Sequence, residues 1–513
     1  MTEATSEPGN GASRWALYPM ILAAVFVMET AASNGVEPPG WIRPLLVAVV
    51  LAAAMTAIAW VATRHRSAAG LLATIALLAV ASRDVLASLA TALRDTFGPS
   101  GAVVASAGLV FLMAAIAVAA VPALWRGRHR WLEPTTRFLN IASVVLLLLV
   151  AWPALVAAPA WFTRPQPTAA EPERELPDIY VFVLDGYARS DELQRQFGID
   201  NASFLTGLAA RGFDVADDNH SNYTYTVLTF ASLFGLQYLT ADRDAVFTDD
   251  QLRAGLRDAL HDGAGITALR AAGYTIVASA AGWEHVALRD GADRYLDRPE
   301  LTDLERTLLQ KTWVPDLSPV VPGDLFFADL HRRVTGVLGD ASDLAAARRD
   351  RPMFAFIHVP APHLPMAFGP VGGPAPFTSR QYGAGRPSEF GLTDDAYASA
   401  YAASVEGLNE AILESIDRII ANSARPPVVV LMSDHGYNGD SPTHGESMLR
   451  SLFAASTPGA PGLLDPAPTP VNMLGILLEH YAGANLGPLL PDRFFLTQLD
   501  GSQVTITETE VTD

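Results

Sequence analysis

Apolar residues divide the chain into a first third that is almost wholly hydrophobic and a remainder in which short apolar runs alternate with polar stretches. Five stretches in the first third are long and apolar enough to cross about 30 Å of hydrocarbon. They lie at about 15–33, 42–62, 69–93, 101–124 and 138–160. This pattern predicts a transmembrane bundle of five helices over 15–162, after an N-terminal segment at 1–14.

The charges of the connecting loops predict an orientation. Basic residues concentrate at 64–66 and 126–130, whereas the loops at 33–40 and 96–101 are not basic. Basic loops face the cytoplasm by the positive-inside rule. The N-terminus is therefore expected inside, and after an odd number of spans the C-terminal part is expected outside.

Two adjacent charges, Arg83 and Asp84, fall near the middle of the third predicted span. An ion pair inside hydrocarbon costs several kcal/mol unless it is satisfied, so the pair is a candidate functional feature of the membrane part. The alternatives are an internal pair that braces the bundle, or a third span that is two shorter segments.

The remainder of the chain predicts an α/β domain. Strand-like apolar runs at 180–184, 275–278, 353–358 and 428–432 alternate with helical patterns near 202–211, 252–272, 324–348 and 395–421. Such alternation favours a central sheet with helices on both faces. The predicted boundaries are a stiff linker at 163–177, the extracytoplasmic domain at 178–500 and a flexible tail at 501–513.

Composition excludes several kinds of chemistry. The 513 residues contain no cysteine, which excludes disulfides, thiolate metal sites and a cysteine nucleophile. The formal net charge of −19 argues against a nucleic-acid partner, since phosphate binding requires a basic face.

Carboxylates and imidazoles follow the strand-like runs. In an open α/β sheet, the carboxyl ends of the strands are where sites are built, and this ligand set suits zinc or manganese. The candidate residues are Asp185 after the first run, His358 and His363 with the third, and Asp434, His435 and His444 after the fourth.

Two threonines, Thr224 and Thr226, precede or begin a helical pattern at 227–236. A hydroxyl there meets free backbone N–H groups and the positive end of the helix dipole, which favours an attached phosphoryl group. Simple N-capping, which threonine performs well, is the alternative from this stretch alone.

The order of these parts resembles the alkaline phosphatase superfamily over about 178–450. The parts are a strand followed by Asp-Gly, a hydroxyl that begins a helix, a His-x-Pro loop, a strand followed by Ser-Asp-His-Gly, and a later histidine. With a five-span anchor, the chain looks like the branch that contains lipoteichoic acid synthases and phosphoethanolamine transferases. The resemblance implies an alkaline-phosphatase-like central sheet.

The resemblance also implies roles for the candidate residues. Asp185, Asp434 and His435 match the metal ligands, and Thr226 matches the metal-bound nucleophile, with Thr224 as the fallback. His363 and His444 match histidines that contact the phosphate or a second metal. His358 has either this task or a packing role at the strand end.

The implied function is metal-dependent transfer of a phospholipid-derived head group, of glycerophosphate or phosphoethanolamine type, to an envelope glycan or lipid through a phospho-threonine. The expected location is a bacterial plasma membrane. One alternative is a membrane-anchored phosphodiesterase, phosphatase or other sulfatase-like hydrolase; another is a membrane protein whose outer domain is catalytically silent. A sulfatase itself is disfavoured, because its modifiable residue and motif are missing after Thr226.

Overall fold

The computed structural model divides the chain into two compact units. The N-terminal unit comprises Met1–Arg164 and Asp303–Leu317, and the sheet unit comprises Pro165–Thr302 and Ser318–Asp513. Apart from a few isolated positions, the residues that the structure describes are 15–33, 38–83, 131–163, 175–279, 291–296, 301–317, 326–377, 391–437, 445–500 and 503–511.

Four apolar helices and one amphipathic helix make up the described part of the N-terminal unit. The apolar helices are α1 (Tyr18–Ser33), α2 (Ile42–Thr63), α3 (Arg66–Val80) and α4 (Leu132–Thr163). The large apolar side chains of α2 and α4 are mostly exposed, Ile58 at 71% and Phe138 at 68% among them. A surface of this kind needs an apolar solvent, so these two helices are suited to face lipid.

The structure bears out the five predicted spans only in part. Of the described helices, α2 and α4 are long and apolar enough to cross a membrane, whereas α1 and α3 have 16 and 15 residues. The third span was expected at 69–93, but α3 ends at Val80. The fourth expected span, 101–124, lies outside the described residues.

A tight turn joins α2 to α3. Arg64 adopts a left-handed conformation with φ of 54°, and its N–H donates to the carbonyl of Trp60 at 2.7 Å. Nδ1 of His65 accepts from the N–H of Ala68 at 3.3 Å, so His65 caps α3. The basic residues predicted to lie in a loop therefore form an antiparallel helix turn.

The sheet unit is built on a seven-stranded sheet in the order β2–β8–β7–β1–β6–β4–β5. β1, β6, β7, β4 and β5 form parallel pairs, while β8 and β2 are antiparallel to their neighbours. The strands are β1 (Ile179–Leu184), β2 (Asp214–Val215), β4 (Thr275–Ser279), β5 (Arg294–Leu296), β6 (Met353–Val359), β7 (Val428–Met432) and β8 (Phe453–Ser456).

Helices cover both faces of this sheet. Tyr180 and Phe182 of β1 belong to the apolar core on one face, and Val181 and Val183 to the core on the other. Strands buried on both faces need continuous apolar sequence, which explains why the runs are recognisable. The helices of this unit are α5 (Ser190–Phe197), α6 (Ala202–Ala209), α7 (Thr226–Gly235), α8 (Asp249–Asp262), α9 (Ala264–Ala271), α11 (Phe327–Ala346), α12 (Asp394–Asn422) and α13 (Pro470–Leu477). In the N-terminal unit, α10 spans Asp303–Gln310.

A second, antiparallel sheet has the order β3–β10–β9, with β3 at Asp244–Thr248, β9 at Phe494–Asp500 and β10 at Gln503–Thr509. A flexible tail was expected at 501–513, but β10 occupies most of it. Val504 and Ile506 of β10 are fully buried in the same core as β1. Two apolar side chains spaced by two residues are enough to hold this strand once partner strands lie beside it.

Candidate active site

Three adjacent strands bring the predicted ligands to one edge of the sheet. β1 lies between β6 and β7 and is parallel to both, with Leu184 level with Val359 and Val183 level with Met432. The residues that follow these strands therefore leave the sheet side by side. This is the physical reason that Asp185, the His363 loop and Asp434–His435 meet.

Asp185, His363 and His435 offer ligand atoms that all lie within 4.8 Å of one another. Nε2 of His435 lies 3.7 Å from Oδ1 of Asp185 and 3.4 Å from Oδ2 of Asp434. Oδ1 of Asp434 accepts the N–H of Gly186 at 3.1 Å, so that the other oxygen, Oδ2, is directed at the imidazole of His435. These four side chains form one cluster of carboxylates and imidazoles.

Two carboxylate oxygens in this cluster fit a bound cation. Within the described part of the chain, Oδ1 of Asp185 and Oδ2 of Asp434 are buried and have no hydrogen-bond partner. Leaving charged oxygens unpaired in a buried site costs several kcal/mol. A divalent metal ion satisfies both oxygens, and mixed oxygen and nitrogen ligands suit zinc or manganese.

The electrostatics of the cluster favour positive charge. Burial lowers the pKa of the His435 imidazole, but the carboxylates of Asp434 and Asp185 outweigh it and the pKa is raised above its ordinary value. Burial likewise raises the pKa of Asp185, yet the interactions with His363, His358 and His435 hold the pKa of that carboxyl well below its usual range. A bound cation meets the same favourable field.

Backbone carbonyls set the tautomers of both imidazoles. Nδ1 of His435 lies 2.7 Å from the carbonyl of Gly436, and Nδ1 of His363 is hydrogen-bonded to the carbonyl of Leu364. Nδ1–H is the donor in each pair, since a carbonyl can only accept. In each neutral imidazole Nε2 then carries the lone pair, which is the form that can bind a metal or accept a proton.

His358 contacts the carboxylate of Asp185. Its Nε2 lies 3.1 Å from Oδ2 of Asp185, and its ring packs edge-on against Phe230 with 4.9 Å between centroids. The side chain is 1% exposed. This arrangement holds the carboxylate so that Oδ1 remains the free oxygen, which is how outer ligands orient a metal-binding carboxylate.

Glycine is favoured where the Asp185 loop passes the His363 loop. Gly186 has φ of +68°, and a Cβ atom there would lie 3.3 Å from the His363 side chain. The N–H of His363 donates to the carbonyl of Asp185 at 3.0 Å, so the two loops are joined directly. The carbonyl of Gly186 accepts from the Tyr401 hydroxyl at 2.9 Å.

The first turn of α7 abuts the ligand cluster. The Thr229 hydroxyl donates to the carbonyl of Asp434 at 2.9 Å, and Ser221 donates to the same carbonyl. Thr226 is the first residue of α7, which has no side-chain cap at Tyr225. Free N–H groups at such a terminus attract an anion.

The two candidate nucleophiles have different environments. Thr226 is partly exposed, and none of the described residues forms a hydrogen bond with its hydroxyl. Thr224 is buried, and its Oγ1 accepts the N–H of Thr497 on β9 at 2.9 Å. The Thr224 hydroxyl thus anchors the second sheet, whereas the Thr226 hydroxyl has no such structural contact with the described residues.

The structure does not bring the remaining predicted site residues into the described part of this cluster. His444 and Asp84 are outside the described residues. Arg83 lies beyond the end of α3, and its Nη1 donates to the carbonyl of Gln310 at 3.0 Å. It is therefore placed at the end of a helix and not at its middle.

Sequence reasoning did not single out the residues that support the site. Ser433, inside the recognised motif, accepts the N–H of Tyr187 at 2.8 Å and donates to the carbonyl of Leu184 at 2.6 Å. Its hydroxyl thereby joins β1 to β7. Tyr401, in contrast, is part of α12, far along the chain, and no local motif marks it.

Comparisons with known proteins find similar structures but no family model and no curated protein that matches. The C-terminal periplasmic domain of EptC from Escherichia coli, in complex with zinc, is 12% identical with a TM-score of 0.41, over 63% of this chain and 90% of that one. The lipooligosaccharide phosphoethanolamine transferase EptA from Neisseria meningitidis is 13% identical with a TM-score of 0.37, over 86% of this chain and 87% of that one.

A protein in the alkaline phosphatase superfamily from Vibrio parahaemolyticus is also similar, at 12% identity and a TM-score of 0.39, over 64% of this chain and 74% of that one. The superfamily that the sequence motifs resemble is thus among the similar structures. A 2-O GAG sulfatase and a putative sulfatase from Bacteroides thetaiotaomicron are similar to the same degree, each at 13% identity and with TM-scores of 0.39 and 0.40. At 12–13% identity, the substrates of these similar proteins are not assigned to this chain.

Proposed function

We propose that this protein is a membrane-anchored, metal-dependent transferase that moves a phosphate-linked head group from a phospholipid to a hydroxyl of an envelope glycan or lipid. One observation carries the proposal. The buried, unpartnered oxygens of Asp185 and Asp434 converge on His435, beside a helix that begins with the partly exposed Thr226.

Asp185, Asp434 and His435 would hold a divalent ion, zinc or manganese. When bound, the ion supplies positive charge that lowers the pKa of a nearby hydroxyl and stabilises phosphoryl oxygens. His358 keeps Asp185 in the orientation that this task needs. The free N–H groups in the first turn of α7 would bind the phosphoryl oxygens of the substrate.

The reaction proceeds in two displacements. Oγ1 of Thr226 attacks phosphorus and passes its proton to Nε2 of His363, while the bond from phosphorus to the diacylglycerol oxygen breaks. The departing alcohol takes that proton. An acceptor hydroxyl then attacks the phospho-threonine, its proton passes to His363, and Thr226 leaves with that proton restored.

The apolar helices support a lipid donor and a membrane-linked acceptor, because partners confined to the same membrane meet at a raised effective concentration. Water as the acceptor makes the protein a phosphodiesterase with the same first step. We place the protein in a bacterial plasma membrane with the basic turn at Arg64–Arg66 in the cytoplasm, as the positive-inside rule requires. The sheet unit then lies outside.

The test uses the full-length protein in nanodiscs, stripped of metal and reloaded with zinc or manganese. A phospholipid with a fluorescent head group is the donor, and phosphorylated peptides are sought by mass spectrometry. Metal-dependent release of diacylglycerol, with phosphate on Thr226, is the expected result. Thr226→Ala should abolish both the release of diacylglycerol and the phosphorylation. Thr335→Ala, which removes an exposed hydroxyl from α11, should change neither of them.

Other outcomes separate the alternatives. Loss of turnover in Thr224→Ala but not in Thr226→Ala would reassign the nucleophile. The protein is a hydrolase if it releases the phosphorylated head-group alcohol into water and transfers none of it to an added glycan or lipid. A chain that binds no metal and turns over no lipid would refute the proposal and favour a catalytically silent sheet unit.

A further inference from the structure

One segment of the chain belongs to a different unit from the residues on either side of it. Asp303–Leu317 clusters with the N-terminal unit, although it continues directly from Thr302 and into Ser318 of the sheet unit. The two units are consequently joined by three chain connections, at 164–165, 302–303 and 317–318. A segment that leaves its own unit must be held by specific contacts.

Apolar contacts hold the first half of this segment. Leu304 of α10 is 2% exposed, and Leu308, one turn later, packs in the same cluster. The other members come from α1 and the α1–α2 connection: Met28, Ala31, Val36 and Trp41. Residues four apart share one face of a helix, so α10 presents a single apolar face to these helix ends.

Polar contacts surround that face. Arg43, in the first turn of α2, forms a two-pronged ion pair with Glu305, with Nε to Oε1 at 2.6 Å. Nζ of Lys311 lies 4.0 Å from the carboxylate of Glu29, near the end of α1. Arg83, just beyond α3, donates to the carbonyl of Gln310. Each helix end thus supplies one charged contact to the segment.

Trp313 adds an amphipathic contact. Its indole Nε1–H donates to the carbonyl of Ala79 in the last turn of α3 at 2.9 Å, while the side chain remains 40% exposed. A tryptophan with its N–H satisfied and its ring exposed at the end of an apolar helix is typical of the membrane–water interface.

All these contacts lie at one end of the helices. They involve the last turn of α1, the first of α2 and the last of α3, while the turn at Arg64 and His65 lies at the other end. The 22 residues of α2 extend about 33 Å, close to the thickness of the hydrocarbon core. The segment is therefore level with one face of a membrane.

We propose that Asp303–Leu317 is an interfacial strap, a membrane-surface segment that docks on the outer ends of α1, α2 and α3 and faces lipid headgroups with Trp313. The strap gives the sheet unit two chain connections to the N-terminal unit, in addition to the connection after α4. The charges of Glu29, Arg43 and Arg83 thereby acquire partners at the interface. The proposal concerns attachment and is independent of the reaction.

The experiment exploits the absence of cysteine, because every introduced thiol is then unique. Full-length Glu29→Cys/Lys311→Cys is treated in native membranes with a short bis-maleimide, and the internal cross-link is measured after proteolysis. The control pair is Ala62→Cys/Lys311→Cys, whose first member is exposed at the opposite end of α2. The strap predicts cross-linking several-fold above that of the control pair.

Three single variants test the interface itself. A membrane-impermeant maleimide should label Lys311→Cys in intact spheroplasts, and Ala62→Cys only after permeabilisation. A fluorophore on Trp313→Cys should be quenched more by lipids with a shallow spin label than by lipids with a deep one. Equal cross-linking of the two pairs, labelling of both positions from one side, or no quenching by either lipid would overturn the strap.

Discussion

Replacing His358 tests the proposed metal site. His358→Leu keeps the volume of the side chain but removes the hydrogen bond from Nε2 to Oδ2 of Asp185, which is 3.1 Å long and fully buried. A buried hydrogen bond to a charged group contributes about 1.5–3 kcal/mol. Loss of an outer ligand lowers metal affinity about 10–100-fold, which is the same range of free energy.

His358→Gln is the matched variant, since its amide N–H reaches the same distance along the side chain as Nε2 of histidine. We expect it to recover most of the affinity that His358→Leu loses. The assay is competition for zinc between the purified full-length protein and a chromophoric chelator. His480→Leu, an exposed histidine, controls for adventitious zinc at the surface.

Zinc affinity should be highest for wild type and His480→Leu, slightly lower for His358→Gln and lowest for His358→Leu. If His358→Leu binds zinc as tightly as wild type, then His358 does not orient Asp185. If glutamine is as harmful as leucine, the loss comes from altered packing against Phe230 and not from the hydrogen bond.

Three further substitutions, one of them with a matched control, test other parts of the structure. Gly186→Ala should lower both the melting temperature and the zinc affinity, because it adds left-handed strain of about 1–2 kcal/mol and a contact with the His363 loop. Gly198→Ala, with φ of +67° and no atom within 4 Å of its Cβ, should lower the melting temperature alone, so equal zinc affinities in the two variants would contradict the assignment. Thr224→Val should destabilise the protein by about 0.5–1.5 kcal/mol, since it removes the hydrogen bond of the half-buried Thr497 N–H on β9, yet mass spectrometry should still detect phosphate on Thr226. Asp417→Asn breaks an exposed ion pair with Arg211 and should change stability by less than about 1 kcal/mol; a larger shift in thermal unfolding would show that the pair is not solvent-screened.

Much of the sheet can be predicted from the sequence, for a physical reason. β1, β6 and β7 are buried on both faces, so they are unbroken apolar runs, and polar residues stand out where each run ends. Asp185, Asp434 and His435 could therefore be assigned to strand ends before any coordinates. The recognised order of motifs then added the roles that a spacing pattern does not contain.

Only the tertiary structure decided which of these residues meet and how. Strand order is non-local, because pairing β1 with both β6 and β7 depends on sheet packing and not on any single segment. The hydrogen bond that distinguishes Thr224 from Thr226 comes from Thr497, about 270 residues further along the chain. The same applies to Asp303–Leu317, whose contacts with α1, α2 and α3 join segments that are far apart along the chain. Local sequence determines which segments can be strands, helices or ligands, whereas contacts between distant segments decide which of those possibilities is used.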